Sequence, residues 1–229
     1  MLKKKLIIID QSFKDYIGHH YNYNKYLFNN LNKLFNISFY VNKNIKNEIN
    51  ELFNKTLFNI FKDSSYLFNY KLFFLQKIKK IKILNYLFSY LLKYNFTFKL
   101  FKKFYKRKFL FSDFYNKLSF LIKNNSNSAF FIHSLSENEF LETLMNLNNN
   151  LCNNKFYLVY RRDPKFLKDY FLILNKLIDN NRIYLLTDSF KIKDYLEKQI
   201  KKKIYLINIP INFNNKKQNK FINKKRKKF

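Results

Sequence analysis

Six short apolar runs punctuate the chain: "KLIII" at 5–9, "ISFYV" at 37–41, "AFFIH" at 129–133, "FYLVY" at 156–160, "IYLLT" at 183–187 and "IYLINI" at 204–209. A half-exposed strand alternates apolar and polar residues. These runs are nearly continuous, which is the pattern of strands buried on both faces. Stretches of helical length lie between most of them. Strand and helix in alternation predict an α/β domain, a Rossmann-like three-layer fold with a mainly parallel sheet.

Local signals mark the helix starts. Ser136 followed three residues later by Glu139 is a capping box that opens a helix over 137–149. Asp163 before Pro164 opens one over 164–179, and Asp188 is the expected N-cap of one over 189–200. A first helix, 18–35, begins at Gly18.

Residues 43–125 carry no strand signal and read as a variable, mostly helical insertion within a domain spanning 1–213. Phe74, Ile78, Ile81, Phe88 and Leu92 share a helical face, with Lys77, Lys79, Lys80 and Lys82 largely elsewhere. That pattern fits helices packed on a sheet. It also fits a basic amphipathic surface lying on anionic lipid, a peripheral membrane contact. Residues 214–229, ending "NKKRKKF", read as a solvated basic tail or a truncated linker.

Composition changes how the charge is read. The chain has one Gly, two Pro, one Cys and no Trp, against 29 Phe and 18 Tyr. Ordinary domains hold about 7% Gly and about 5% Pro. The enriched residues use A/T-rich codons and the depleted ones G/C-rich codons, so the bias is that of an AT-rich genome. The net charge of +30 attracts anions whatever its origin. However, only Arg107, Arg161, Arg162, Arg182 and Arg226 are arginines, and Arg is the residue suited to bidentate phosphate and base contacts. Lysine spread along the whole chain fits codon bias better than a nucleic-acid face.

Cys152 stands alone, which leaves no internal disulfide and no cysteine metal cluster. The first apolar run is too short for a signal peptide. The run Ile83–Leu92 falls short of the roughly 18 residues that span a bilayer. The expected location is cytoplasmic, with any membrane contact peripheral and on the inner face.

Residues that the bias should remove, yet remain, cluster. Gly18 follows the first run. Two of the arginines and Pro164 fall in "RRDP" at 161–164, Pro210 closes the last run, and His133 ends "AFFIH". All lie at the carboxyl ends of the expected parallel strands or one loop beyond, where open α/β sheets bind ligands.

Gly18, at a helix start, is either a turn glycine or a residue that lets an anion approach backbone N–H groups. The full dinucleotide fingerprint and the P-loop are both absent. His133 suits a general base near neutral pH, or is a core-edge histidine bonded to backbone. His19 and His20 are adjacent, so they face different ways on a helix and form no metal site. Of the two, His19 is the one expected to point into the crevice. Arg161 and Arg162 can fork a phosphate or carboxylate, or pair with Asp163 or another acid.

The first strand ending in Asp10, "GHHYNYN", "FFIHSLSENE", "FYLVYRRDP", "IYLLTDS" and "INIPI" together resemble the N-terminal half of GT-B glycosyltransferases. The likeness is to the bacterial retaining, family-four/family-one group, over roughly 3–35 and 128–212. It implies an acceptor-side domain that moves sugar from a nucleotide-sugar donor to a glycan or lipid-linked acceptor, without a bound metal or other cofactor. It places Gly18 and His19 toward the donor phosphates and His133 near the reacting sugar, as the catalytic residue. Arg161 and Arg162 would hold an anionic part of a substrate. The donor-binding half that normally follows "INIPI" is not in the sequence, so the expectation is an incomplete site that needs a separate donor-binding domain. A basic nucleic-acid binder and an inactive partner subunit are the other readings.

Overall fold

A computed structural model describes residues 3–16, 19–53, 56–62, 113–149, 153–163, 175, 181–200 and 202–207. Its element order is β1 (Lys4–Asp10), α1 (His19–Leu31), β2 (Phe35–Asn42), α2 (Asn47–Leu52), β3 (Leu57–Phe61), α3 (Asp113–Asn124), β4 (Ala129–Ile132), α4 (Glu137–Asn149), β5 (Lys155–Val159), β6 (Ile183–Thr187), α5 (Phe190–Ile200) and β7 (Ile204–Leu206). The seven strands form one sheet in the order β3-β2-β1-β4-β5-β6-β7, and every pairing is parallel. This is the α/β Rossmann-like three-layer fold that the apolar runs predict.

The layers follow from the two-residue period of a strand. Along β1, Ile7 and Ile9 enter one apolar cluster with Phe130, Ile132, Phe156, Leu158 and residues of α3, α4 and α5. Leu6 and Ile8 enter another with Phe39, Val41, Phe28 of α1 and Phe53. Ile7, Ile8 and Ile9 are each 0% exposed, so β1 has no solvent face.

The chain lays down β1, β2 and β3 in one direction, then returns to place β4 on the other side of β1. The order therefore reverses between β1 and β4, and ligands of open α/β sheets bind outside the carboxyl ends of strands at such a point.

All six expected strands are present, although "IYLINI" is described as strand only over Ile204–Leu206. A seventh strand, β3, falls inside 43–125, where the sequence offered none. It is an edge strand with Leu57 and Phe61 buried and Phe58 exposed. Its end is tied to α3, because Asp113 Oδ2 accepts from the Lys62 backbone N–H at 3.0 Å. Residues 63–112, Gly18, Pro164, Pro210 and the 214–229 tail lie outside the described residues, as does the 164–179 helix apart from helical Asn175.

The expected capping box is formed. Glu139 Oε2 accepts from Ser136 N at 2.8 Å, and Ser136 Oγ accepts from Glu139 N at 3.3 Å. The expectation for Asp188 is corrected. Ser189 precedes α5 and its Oγ faces the Ile192 N–H at 3.4 Å, while Asp188 turns to Arg161. No helix among the described residues is long and apolar enough to cross a membrane.

Two outcomes are expected. Ile9→Ala should cost about 2–5 kcal/mol, read as a lower urea midpoint at unchanged slope. Ser189→Ala should cost about 0.5–2 kcal/mol by the same measurement, as removal of a helix cap does.

Candidate functional site

The sheet brings Asp10 and His133 together. Ile9 of β1 lies opposite Ile132 of β4, so the next residue of each strand, Asp10 and His133, leaves the sheet side by side. The His133 backbone N–H still donates to the Ile9 carbonyl at 3.2 Å. Both side chains are fully buried. A carboxylate cannot remain charged there unless donors replace its water.

Helix α1 supplies those donors. His20 and Asn24 are four residues apart and share one helical face. His20 Nδ1 lies 2.9 Å from Asp10 Oδ2 and 3.1 Å from Oδ1, and Asn24 Nδ2 donates to Oδ2 at 2.7 Å. The Ser12 backbone N–H donates to Oδ1 at 3.2 Å. Burial by itself raises the Asp10 carboxyl. The positive charge of His133 and the hydrogen bonds from His20 and Asn24 outweigh it and hold Asp10 below the usual carboxylate range.

The network fixes proton positions. An ionised carboxylate only accepts, so His20 gives its Nδ1–H to Asp10. Asn24 spends its amide N–H on Asp10, so its Oδ1 accepts from His133 Nε2 at 2.9 Å. His133 Nδ1 lies 2.9 Å from Ser134 Oγ, accepting from it when the ring is neutral and donating to it when the ring is charged. Ser134 Oγ also lies 3.3 Å from His20 Nδ1. Ser134 has φ 62, a left-handed backbone that costs a non-glycine residue about 1–2 kcal/mol. The turn aims its hydroxyl at both histidines. Tyr23 closes the side of the cluster, meeting the His133 ring edge-on at 4.7 Å.

The histidines differ in access. His133 is 1% exposed and both its ring nitrogens are engaged, whereas the His20 side chain is 18% exposed. A histidine held through Nδ1 by a buried carboxylate carries its lone pair on Nε2 when neutral, the arrangement of a general base. Of the residues singled out in the sequence, His133 joins this cluster. Gly18 and the side chain of His19 lie outside what is described, and it is His20 that reaches Asp10.

The two arginines part company. The Arg161 guanidinium stacks on Tyr23 at 4.5 Å, and its Nε lies 3.1 Å from Asp188 Oδ2. Arg162 and Asp163 are exposed. Burial pushes the Tyr23 phenol up, against the opposing charge of Arg161. Burial also pushes Glu139 up, against its bonds from Ser136. Among the described residues, no group of three His, Cys, Asp or Glu side chains is arranged to hold a metal ion.

Sequence reasoning missed Asp10, His20, Asn24 and Ser134 as one unit. The available signal was an i, i+4 pair of polar residues on the first helix, facing an acid at the end of an otherwise apolar strand. Comparison with protein-family models, with curated proteins and with solved structures finds no match.

The Asp10 pairing has a pH signature. A carboxyl held below its unfolded value of about 3.9 adds stability above that value and loses it as pH falls through the folded value. Asp10→Asn should therefore be less stable than the wild type at neutral pH. The gap should narrow as pH drops below about 4, measured by urea unfolding at each pH.

Proposed function

We propose that this chain is the acceptor-side half of a GT-B-type glycosyltransferase, in which an acceptor hydroxyl attacks a nucleotide-sugar held by a separate donor-binding domain. The observation that carries the reading is the Asp10–His20 pair at the strand-order reversal of a seven-stranded parallel sheet. The resemblance of the strand-end segments supplies the reaction class.

His20 Nε2 takes the proton of a glycan or lipid-linked hydroxyl as that oxygen bonds to the anomeric carbon. The bond from that carbon to the nucleoside diphosphate breaks, and the diphosphate leaves with the electron pair. Asp10 stabilises the imidazolium that forms and keeps the ring in one tautomer. A single displacement of this kind inverts the anomeric centre, unlike the retaining enzymes that the sequence resembles. His133, first expected to be catalytic, becomes a positioning residue that braces Asn24 and Ser134 against Asp10 and His20. Gly18 and His19 keep their proposed place beside the donor phosphates on the resemblance alone.

The test is label transfer from a panel of nucleotide-sugars to glycan and lipid-extract acceptors, using the full chain together with a donor-binding domain. The expected result is transfer by the pair, with a product of inverted configuration. His20→Gln should lower the rate by about 10²-fold or more, the usual contribution of a general base. Unchanged transfer by His20→Gln would remove the base role. Absence of sugar binding, together with tight duplex DNA binding at physiological salt, would overturn the reading altogether.

A further inference from the structure

Arg161 lies just beyond β5, one aromatic ring away from the His133 cluster. Tyr23 is the shared wall, with His133 against one part of its ring at 4.7 Å and the Arg161 guanidinium over it at 4.5 Å. Asp188, from the end of β6, holds the Nε side of the fork at 3.1 Å. Nε and Nη2 are both buried, and neither makes a hydrogen bond among the described residues, the Nε contact with Asp188 being an ion pair alone. A charged donor withdrawn from water with no acceptor is costly. Yet stacking on Tyr23 and the ion pair to Asp188 hold the fork in that position. Asp188 offsets the charge of the guanidinium, but two of its N–H groups lack an acceptor. The Arg161 side chain is 17% exposed, so part of it reaches the strand-end surface.

We propose that Arg161 is the recognition residue for a phosphate group on the acceptor, held through the guanidinium N–H groups that lack an acceptor. Planar N–H pairs match phosphate oxygens, which is the chemistry arginine serves better than lysine. The proposal rests on the glycosyltransferase reading for the word acceptor, and it deepens that reading. The reacting hydroxyl sits at His20, and the phosphate sits at Arg161, which shares the Tyr23 ring with His133 of the same cluster. The substrate class is then a phosphorylated sugar or alcohol, and a neutral glycan would leave the fork unpaired. Arg162, exposed beside it, takes no part.

The test is calorimetric titration of the full chain with inorganic phosphate and with glucose 1-phosphate, glucose serving as the neutral control, at constant ionic strength. Wild type and Arg162→Gln should bind both phosphates equally and not bind glucose. Arg161→Gln should weaken phosphate binding by about tenfold or more, and Arg161→Lys should fall between, since it keeps the charge and loses the fork. Equal binding by wild type and Arg161→Gln overturns the proposal. If Arg161→Gln does not fold, Arg161→Lys decides, and wild-type affinity in that variant overturns it. Sedimentation with phosphatidylcholine vesicles, with and without phosphatidic acid, separates the sources. Arg161-dependent binding to the acidic vesicles assigns a lipid-linked phosphate, and binding of soluble phosphate alone assigns a soluble one. Arg161-dependent phosphate binding by a chain that transfers no sugar keeps this site and sinks the transferase reading.

Discussion

The arrangement at the strand ends depends on keeping one carboxylate charged at the end of the most buried strand. Asp10 follows three isoleucines that are 0% exposed and is itself 0% exposed. Burial opposes its charge, so its donors must be in place when the chain is folded. They come from its own loop, from α1 and, through Asn24, from the turn after β4. Docking α1 on the sheet and closing β4 against β1 are thus linked electrostatically as well as by apolar packing. Loss of one donor leaves the rest of the cluster facing a partly unpaired charge, which costs more than the single hydrogen bond.

The sheet explains why this expense falls where it does. A parallel sheet covered on both faces has no wet side on which to put polar chemistry. Its polar groups gather at the strand ends, and the reversal between β1 and β4 leaves room there that adjacent helices do not fill. Asp10, His133 and Ser134 occupy that gap directly. Arg161 and Asp188 occupy the next strand ends along the same edge. The polar side chains are arranged along one line of strand termini and joined through Tyr23.

What the sequence made legible was governed by local patterns. Continuous apolar runs marked the inner strands, and the Ser136–Glu139 capping box marked α4 because both partners lie within one turn. The edge strand β3 escaped because "LFNIF" is buried at its two ends only, with Asn59 between them facing out. Helical phase accounts for the place of His20, which reaches Asp10. Asn24 and Phe28 set the buried stripe of α1, and His20 lies four residues before Asn24. The codon argument picked out Gly, Pro and Arg as survivors. It was blind to Asn24, because asparagine is a residue that the same bias favours. The joining of Asp10 to His133 is a sheet-register contact across more than a hundred residues, which no local spacing encodes.

The charge balance of the cluster separates the roles of the two histidines. One carboxylate faces two imidazoles, and a single added proton makes the group neutral as a whole. A second would leave a net positive charge in a buried place near Glu139, whose own carboxyl burial pushes up toward the neutral form. His133, enclosed and bonded at both nitrogens, is poorly placed to exchange that proton with anything outside. His20 has the exposure to do so. The same carboxylate that binds the fold together therefore holds the more exposed of the two rings. Arg161 stands beyond the Tyr23 ring, already paired in part with Asp188, so it can meet an anion without competing for Asp10.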